Sequence, residues 1–423
     1  MRNGKNRNLI KYMIVALLMV TMLTGCTTFD SFRHAFLEEN TTSSMPVITI
    51  GVFEPQTGSN ASKGRDELKG IELANSIYSN VDGYKIELSK VDTQSKVSTA
   101  RTAVQGLIEM KPVAIIGSAG DAVSLVVSEY IEDAEIPTIT PSATNPLITQ
   151  TSDYYFRACI TESQMGEGLA EYAYKELESR KIGIVSLKND TSTAQIIDGI
   201  ESKIKKLAGK KSKAIASVNE ITDSDEDLQN AVYAIRKKGC DVCFVSLGTE
   251  VMDKFFTMAE EAGITQTVFL GTGSCGESDF VSMMSKHPDI KIVFPYVSVN
   301  EDPDSGSADP EENMTEEAQR FRIEYQNKYG ADDIPTENAA LGYDSYLLLV
   351  NAIHNSVSLE GSDIRESMLK LKDLKGVTGV FSFDDRGNVV RTVNLSTIKD
   401  GNIVSEYVTN SEAEAKSLNE IEQ

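Results

Sequence analysis

The sequence predicts an α/β protein built from two doubly wound lobes, each with a parallel sheet between layers of helices. Short apolar runs rich in Val and Ile alternate with longer segments whose apolar residues recur at helical spacing. The alternation runs from "VITIGVF" at residue 47 to "IPTIT" at residue 136, and it starts again with "IGIVS" at residue 182. Repeated β-α units of this size are typical of parallel sheets with helices on both faces. Two such series predict two similar lobes that join near residues 150–160.

The first series is read from apolar runs that alternate with amphipathic segments. Its first helix places Leu68, Ile71, Ala74 and Ile77 on one face. The predicted elements are strand 47–53, helix 63–79, strand 85–91, helix 97–110, strand 113–117, helix 122–132 and strand 136–140.

The second series repeats this order, and further helices follow it. The predicted elements are strand 182–186, helix 194–207, strand 214–219, helix 226–237, strand 242–247, helix 250–262, strand 267–270, and helices 315–329 and 338–356. The stretch "GVFSFDDRGNVV" (379–390) predicts a hairpin, because two short apolar runs flank turn-forming residues. The acidic residues 411–423 are expected to be a frayed tail.

The first 25 residues are expected to be a signal peptide. A basic stretch precedes the apolar run "YMIVALLMVTML" (12–23), which is shorter than the roughly 20 residues that span a bilayer. The run ends in "LTGC", which resembles the bacterial lipoprotein box. The resemblance implies cleavage before Cys26 and a diacylglyceryl group on its thiol, so that residues 26–46 form a lipid-anchored linker. An ordinary secretory signal that ends in Cys by chance is the alternative.

The composition argues against binding to nucleic acid. The chain has 63 Asp and Glu against 41 Lys and Arg, for a formal net charge of -22. A surface this acidic repels phosphate backbones. The three histidines are scattered along the sequence, so no metal site is expected.

Four cysteines remain beyond the lipoprotein box, at positions 159, 240, 243 and 275. Outside the cell they could pair in three ways. Cys240 and Cys243 have C-x-x-C spacing, but Cys243 lies inside the apolar run "VCFVSL", where it is expected to be a small core residue of a strand. A redox role for this pair is the less favoured interpretation.

The stretch "TVFLGTGSCG" (267–276) has the G-x-G-x-x-G spacing of a dinucleotide-binding loop. Such a loop is followed about 20 residues later by an acid that ends a strand. The next strand-like run, "KIVFPYV" (291–297), has no such acid. No G-x-S-x-G motif and no other catalytic set is present in the sequence. No cofactor and no enzymatic activity are therefore expected.

The chain resembles the solute-binding proteins of ABC transporters for branched-chain amino acids, which have the type I periplasmic binding protein fold. The resemblance rests on "ITIGVFEPQTG" (48–58), "IPTITPSATNPLIT" (136–149), "YYFRACITESQMG" (154–166) and "ENAALGYDSYLLLVNAI" (337–353). Together with "LKGVTGVFSFDDRGNVV", these pieces extend over roughly 47–400. The block "PSATNP" (141–146) is the most specific of them.

The resemblance implies two lobes joined by a three-segment hinge. The first lobe would take 47–157 and 295–377, and the second 158–294 and 378–410. A ligand would bind between the lobes and close the hinge, because it contacts both. The closed form would then be presented to a membrane permease on the outer face of the cytoplasmic membrane. A receptor module of the same fold, which senses a ligand without transport, is the alternative.

The resemblance also assigns positions to the ligand. In the first lobe the grip on an amino acid carboxylate falls on Asp121, Ser142, Ala143 and Thr144. The hydroxyls and amides of the last three suit that role, although the turn could simply be capped by its own side chains. Asp121 does not suit it, since a carboxylate repels a carboxylate. Asp121 is expected either to be the N-cap of helix 122–132 or to face a donor group of the ligand.

The second lobe departs further from the family pattern. The acid that would pair the ligand ammonium falls on Gly273, and Glu250, Glu277 or Asp279 could replace its charge. The usual aromatic positions fall on residues without rings: Lys63, Gln164, Ser192, and Gly248 or Thr249. We therefore expect a small polar ligand with donor groups, with a standard branched-chain amino acid as the alternative.

Overall fold

The structure is a computed structural model that describes residues 45–210, 212–296 and 315–409, without the side chains at positions 191 and 192. The signal peptide, Cys26, most of the linker and the acidic tail lie outside these ranges. Within them, no helix is both long and apolar enough to cross a membrane.

The described residues form two compact units. Unit 1 contains those within 45–143, 148–158 and 320–387, and unit 2 contains those within 144–147, 159–319 and 388–409. The first two long segments separate at residue 158, close to the expected joint. Residues 378–387 group with unit 1, whereas the resemblance assigned them to the second lobe. The reason is local, since Val380 and Phe381 pair with Lys375 and Leu374 in an antiparallel ladder.

Unit 1 contains a six-stranded sheet in the order β2-β3-β1-β4-β5-β6, in which only β2 runs antiparallel to its neighbour. Its strands are β1 (Val47–Glu54), β2 (Asn80–Val81), β3 (Tyr84–Asp92), β4 (Ala114–Ile116), β5 (Thr138–Thr140) and β6 (Tyr155–Arg157), and a short pair is formed by β12 (Leu374–Lys375) and β13 (Val380–Phe383). The helices are α1 (Ala61–Ile77), α2 (Val97–Glu109), α3 (Asp121–Ala134), α11 (Glu337–Asn355) and α12 (Gly361–Lys370), while α4 (Leu147–Thr151) and α10 (Glu316–Tyr329) begin in residues of unit 2.

Unit 2 contains a seven-stranded sheet in the order β16-β15-β11-β10-β9-β7-β8. Its strands are β7 (Ile182–Leu187), β8 (Ile215–Ile221), β9 (Val242–Ser246), β10 (Val268–Leu270), β11 (Ile292–Pro295), β14 (Val389–Val390), β15 (Asn394–Lys399) and β16 (Asn402–Val408), of which β14 lies outside the seven-stranded sheet. The helices are α5 (Glu162–Glu171), which continues as a π-helical turn to Glu176, α6 (Thr191–Ala208), α7 (Asp225–Lys238), α8 (Thr249–Glu261) and α9 (Ser278–Met284).

The prediction of two parallel α/β sheets is confirmed, with one addition. Strands β7 to β11 are parallel, as expected, but the sheet is extended by β15, which runs antiparallel to β11, and by β16, which runs antiparallel to β15. The two added strands form a hairpin around Asp400 and Gly401, both in the left-handed region.

Each sheet has an apolar core on its faces. In unit 1, residues of α2 and α3 such as Val104, Leu107 and Val127 pack beside Ile115 of β4. In unit 2, the rings of Phe255, Phe256 and Phe269 contact each other, with centroids 5.2–6.0 Å apart. These cores fix the strands whose ends carry the candidate site.

Candidate functional site

The site predicted for the first lobe lies at the carboxyl edge of the unit 1 sheet. β1 ends at Glu54, β4 at Ile116 and β5 at Thr140, and the three strands are parallel neighbours. The strand order reverses between β1 and β4, because β3 lies on the other side of β1. Open α/β sheets bind ligands at such a switch point, outside the carboxyl ends of the strands. The turns that follow β4 and β5 are therefore the candidate site in this unit.

Glu54 is a buried carboxyl group at the end of β1. Its side chain has no exposed surface, and Oε2 accepts a hydrogen bond from the backbone N–H of Ala119 at 2.7 Å. Burial raises the pKa of Glu54 well above its ordinary value, and the charge of Glu67 raises it further. Glu54 thus occupies a backbone donor that the turn after β4 would otherwise offer to a ligand.

Helix α1 carries a second buried acid, Glu67, which lies four residues before the buried Ile71 and on the same helical face. Two glycines let α1 and α11 approach closely. A Cβ atom at Gly70 would lie 1.8 Å from the carbonyl oxygen of Ala339, and one at Gly342 would lie 2.2 Å from that of Glu67. Only glycine permits this contact, which fixes the backbone that holds Glu67.

Glu54 and Glu67 lie close enough inside unit 1 for the charge of Glu67 to raise the pKa of Glu54. Glu54 Oε1 and Glu67 Oε2 are buried and have no hydrogen-bond partner among the described residues. Burial raises the pKa of Glu67 to about 7, and the hydrogen bond from Ser142 opposes this rise. Both pKa shifts favour the protonated, neutral form of these acids.

Ser142 and Ala143 lie in the turn after β5, where the sequence predicts them, but their donors are engaged within unit 1. The half-buried Ser142 hydroxyl donates a hydrogen bond to Glu67 Oε1. The backbone N–H of Ala143 donates to Oγ1 of Thr140 at 3.1 Å, and its carbonyl oxygen accepts from Nη1 of the buried Arg157 at 3.3 Å. The turn is therefore held from both sides by side chains of its own unit.

Thr144 belongs to unit 2, so the three consecutive residues of the predicted grip are divided between the units. Its hydroxyl donates to Oε1 of Glu162 at 2.5 Å, and Glu162 lies in the first turn of α5. The hydroxyl groups of both Ser142 and Thr144 thus donate to carboxylates of the protein.

Asp121 is not the N-cap of its helix, which corrects one of the two expectations for this residue. α3 begins at Asp121 itself, and Gly120 occupies the N-cap position with φ of 116°, in the region that favours glycine. A carboxylate at the first helical position still interacts favourably with the positive end of the helix dipole. The half-buried Asp121 stays at the candidate edge of the sheet, directly after the turn that follows β4.

In unit 2, Gly273 begins a 3-10 turn (Gly273–Gly276) directly after β10, and it is exposed. A Cβ atom there would first meet a carbonyl oxygen at 3.5 Å, an ordinary contact, so the position has room for a side chain. The acids considered as replacements, Glu250, Glu277 and Asp279, are all exposed. Ser192 lies in the first turn of α6, and its side chain is outside the described set.

Gln164, at a position where the resemblance implies an aromatic ring, has a structural role. Its Oε1 accepts from the backbone N–H of Thr161 at 2.8 Å, and its backbone N–H donates to the Thr161 hydroxyl, which forms a capping box for α5. Its Nε2 donates to the carbonyl oxygen of Val389 at 3.0 Å. Both ends of the amide are therefore used within unit 2.

Two of the three glycines of "GTGSCG" are explained by packing. A Cβ atom at Gly271 would lie 2.4 Å from Sγ of Cys275, and one at Gly276 would lie 2.6 Å from the ring of Tyr296. The spacing that resembles a dinucleotide loop thus belongs to a tightly packed turn.

The four described cysteines are buried, and Cys240, Cys243 and Cys275 are free thiols. Burial raises the pKa of Cys240 and of Cys275, the latter to about 12, and raises that of Cys243 well above its ordinary value. Cys243 lies in β9, as predicted for a core residue. Thiols in this state are poor nucleophiles and metal ligands. No group of three or more metal-binding side chains is found in the described part of the chain.

The two acids that organise the unit 1 site were missed by sequence reasoning, although the sequence contains a signal for each. Glu54 ends an otherwise apolar strand, "VITIGVFE", and Glu67 lies on the apolar face of α1. An acid at such a position requires a buried partner.

The fold and this site define a class of protein. The model of the family "Periplasmic binding protein" matches residues 47–402, and the chain belongs to that family.

Its relatives are binding proteins. An amino acid binding protein of Pseudomonas aeruginosa is 27% identical over 208 residues, which are 48% of this chain and 54% of the relative. A Leu/Ile/Val-binding protein homologue of Brucella melitensis is 24% identical over 47% of this chain and 53% of its own length. The matched part of the chain spans about half the length of these curated relatives.

Solved structures show the same fold. A substrate-binding protein of a branched-chain amino acid transporter from Streptococcus pneumoniae, in complex with isoleucine, has 25% identity and a TM-score of 0.62, covering 86% of this chain and 99% of that one. A solute-binding protein from Rhodopseudomonas palustris, in complex with 3,4-dihydroxybenzoic acid, has 19% identity and a TM-score of 0.64, covering 86% of this chain and 98% of the other.

Proposed function

We propose that the protein is the solute-binding component of an ABC importer and captures an amino acid or a related small polar ligand. The family match over residues 47–402 is the observation that carries this proposal. The names of the relatives support an amino acid or a similar solute as the ligand class. The polar turns at the switch point of the unit 1 sheet support a binding site there.

The proposed mechanism is capture by hinge closure. Asp121, Ser142, Ala143 and Thr144 would face the ligand from one side, and the regions of Ser192 and Gly273 from the other. A ligand that contacts both lobes stabilises the closed state more than the open one. The closed form would then dock on a membrane permease, and no covalent step is required.

The proposed location is the outer face of the cytoplasmic membrane, with the chain held by a lipid on Cys26. A Cys26→Ala variant tests the anchor. Metabolic labelling with a radioactive fatty acid should mark the wild type and not the variant, and the variant should move from the membrane fraction to the soluble fraction. Equal labelling of both proteins would contradict the anchor.

The binding function is tested by mass spectrometry of small molecules released from the purified protein, together with a thermal-shift panel of amino acids, amines, amino alcohols and polyols. A ligand at 100 times its dissociation constant stabilises the folded state by about 2.7 kcal/mol. A ligand that binds one-to-one and is taken up by cells only when this chain is present would support transport. Ligand binding without any uptake defect in a deletion strain would favour the receptor alternative.

A further inference from the structure

We propose that Glu67 sets the hydrogen-bond polarity of Ser142, so that the turn after β5 accepts a hydrogen bond from the ligand instead of donating one to a carboxylate. This inference rests on the proposed solute-binding function and adds the chemistry of the group that is recognised. The ligand places an ammonium or a hydroxyl group, not a carboxylate, against Ser142.

The argument begins with the single hydrogen of the Ser142 hydroxyl. That hydrogen is donated to Oε1 of Glu67. A hydroxyl has one donor and two lone pairs, so the Ser142 oxygen has only acceptor capacity left. The residue is half-buried in the turn at the carboxyl edge of the sheet, where the ligand is proposed to bind.

Three backbone donors near Ser142 are also engaged. The N–H of Ala119 donates to Glu54 at 2.7 Å, that of Ser118 to Oγ of Ser124 at 3.3 Å, and that of Ala143 to Thr140 at 3.1 Å. A carboxylate needs several such donors to replace its hydration. These three N–H groups are therefore not available to replace the hydration of a carboxylate.

The charge of the acid pair acts in the same direction. Glu54 and Glu67 are both buried, and Glu67 contacts the Ser142 hydroxyl. Lys63, on the same helix as Glu67, is exposed and its charge is screened by solvent. Negative charge on Glu67 repels a carboxylate at the turn and attracts a cation or the positive end of an O–H group.

The experiment compares matched ligands that differ at one end. An amino acid and the corresponding amino alcohol share the side chain and the ammonium, but the alcohol replaces the carboxylate with a hydroxyl donor. The dissociation constants of such pairs are measured by calorimetry on the wild type. We expect the amino alcohol to bind at least tenfold tighter.

Two variants assign the effect to Ser142 and Glu67. Ser142→Ala should weaken binding of the amino alcohol about tenfold and leave the affinity for the amino acid unchanged, because only the amino alcohol donates the hydrogen bond that is lost. Ser76→Ala is the control. It removes a hydroxyl of α1 that donates to the carbonyl oxygen of Leu73, and it should change the affinity for neither ligand. Glu67→Leu releases the Ser142 hydrogen and removes the charge, so selectivity should move at least tenfold toward the amino acid.

The outcomes separate this inference from the function on which it rests. If amino acids bind tighter than amino alcohols and Ser142→Ala weakens the amino acids, Ser142 donates to a carboxylate; the inference then fails while the binding function stands. If no compound in the panel binds, the proposed function fails and the inference fails with it. If Glu67→Leu does not fold, Ser142→Ala still decides whether Ser142 accepts a hydrogen bond from the ligand, because it shows which class of ligand binds more weakly without the hydroxyl.

Discussion

Glu54 and Glu67 are two buried acids of unit 1, and Ser142 donates a hydrogen bond to Glu67. The two acids lie at the end of β1 and on the buried face of α1, and the hydrogen bond joins Glu67 to the turn after β5. A strand end, a helix and a loop that are distant in the sequence thereby meet around two buried acids.

The pair predicts that unit 1 gains stability as the pH falls from 8 to 5. The folded state raises the pKa of Glu67 from 4.5 to about 7, so it binds a proton more tightly than the unfolded chain does. The stabilisation is complete below pH 4.5 and is lost as the pH rises through 7. One pKa unit corresponds to about 1.4 kcal/mol, so the effect is roughly 3 kcal/mol.

Urea unfolding at pH 5 and pH 8 measures this effect against the Glu54→Gln, Glu67→Gln double variant, which keeps the shape but does not titrate. Acids whose pKa is lowered, such as Asp92 and Asp253, favour the opposite pH dependence, but they are common to both proteins. Between pH 8 and pH 5, the free energy of unfolding of the wild type should therefore increase relative to that of the variant. An equal pH dependence of the two proteins would contradict the raised pKa of Glu67.

The contact between α1 and α11 predicts opposite effects of the same substitution at two glycines. Gly70→Ala should destabilise by about 2 kcal/mol or more, because the new methyl group would meet backbone atoms of α11 that cannot rotate away. Gly106→Ala is the control, in a helical position with nothing within 4 Å of the added atom. It should stabilise by up to about 1 kcal/mol, as expected from helix propensity. Denaturant midpoints measure both, and a neutral Gly70→Ala would show that the helices are not in close contact.

The buried carboxylate of Asp344 predicts a large loss of stability on its removal. It accepts hydrogen bonds from the backbone N–H groups of Val377 and Thr378 at 2.7 and 2.8 Å and from the Thr378 hydroxyl at 2.7 Å. Asp344→Ala leaves buried donors without an acceptor and should cost about 3 kcal/mol or more. The control is Asp332→Ala, at an exposed position, whose unfolding temperature should differ little from that of the wild type. Thermal unfolding of the two variants is compared. Similar shifts of the unfolding temperature in both variants would show that the hydrogen bonds to Asp344 contribute little stability.

The buried cysteines predict slow thiol chemistry. In the native protein, Cys240, Cys243 and Cys275 should react with a disulfide reagent far more slowly than a free thiol, because burial raises their pKa and blocks access. In urea they should all react quickly. Rapid native labelling at Cys240 or Cys243 would revive the redox interpretation of the C-x-x-C spacing.

The alternation of elements could be predicted from the sequence because buried parallel strands are short apolar runs and their helices are amphipathic. The prediction missed β15 and β16, since "NLSTIK" and "NIVSEYV" carry polar residues throughout and lie beyond the last β-α unit. It also placed the start of α3 one residue late, because Asp is a common N-cap and Gly120 was not considered for that position.

The position of the candidate turns could also be predicted, but not their hydrogen bonding. Ser142 and Ala143 resemble donors to a carboxylate when only their own residue types are considered. Their acceptors, Glu67 and Thr140, become visible only when α1 and β5 are folded against the turn. Burial of Glu67 in turn depends on Gly342, which lies far along the chain. Side-chain polarity at a site is a property of the packed structure, which a local motif does not contain.

The measurement that tests the account most directly is a thermal-shift titration of the wild type and Ser142→Ala over the panel of amino acids, amines, amino alcohols and polyols. The account predicts a saturable stabilisation of the wild type by a compound with an ammonium or hydroxyl donor, and a loss of about tenfold in affinity for it in Ser142→Ala. The absence of any saturable ligand, or a ligand that binds both proteins equally, would contradict it.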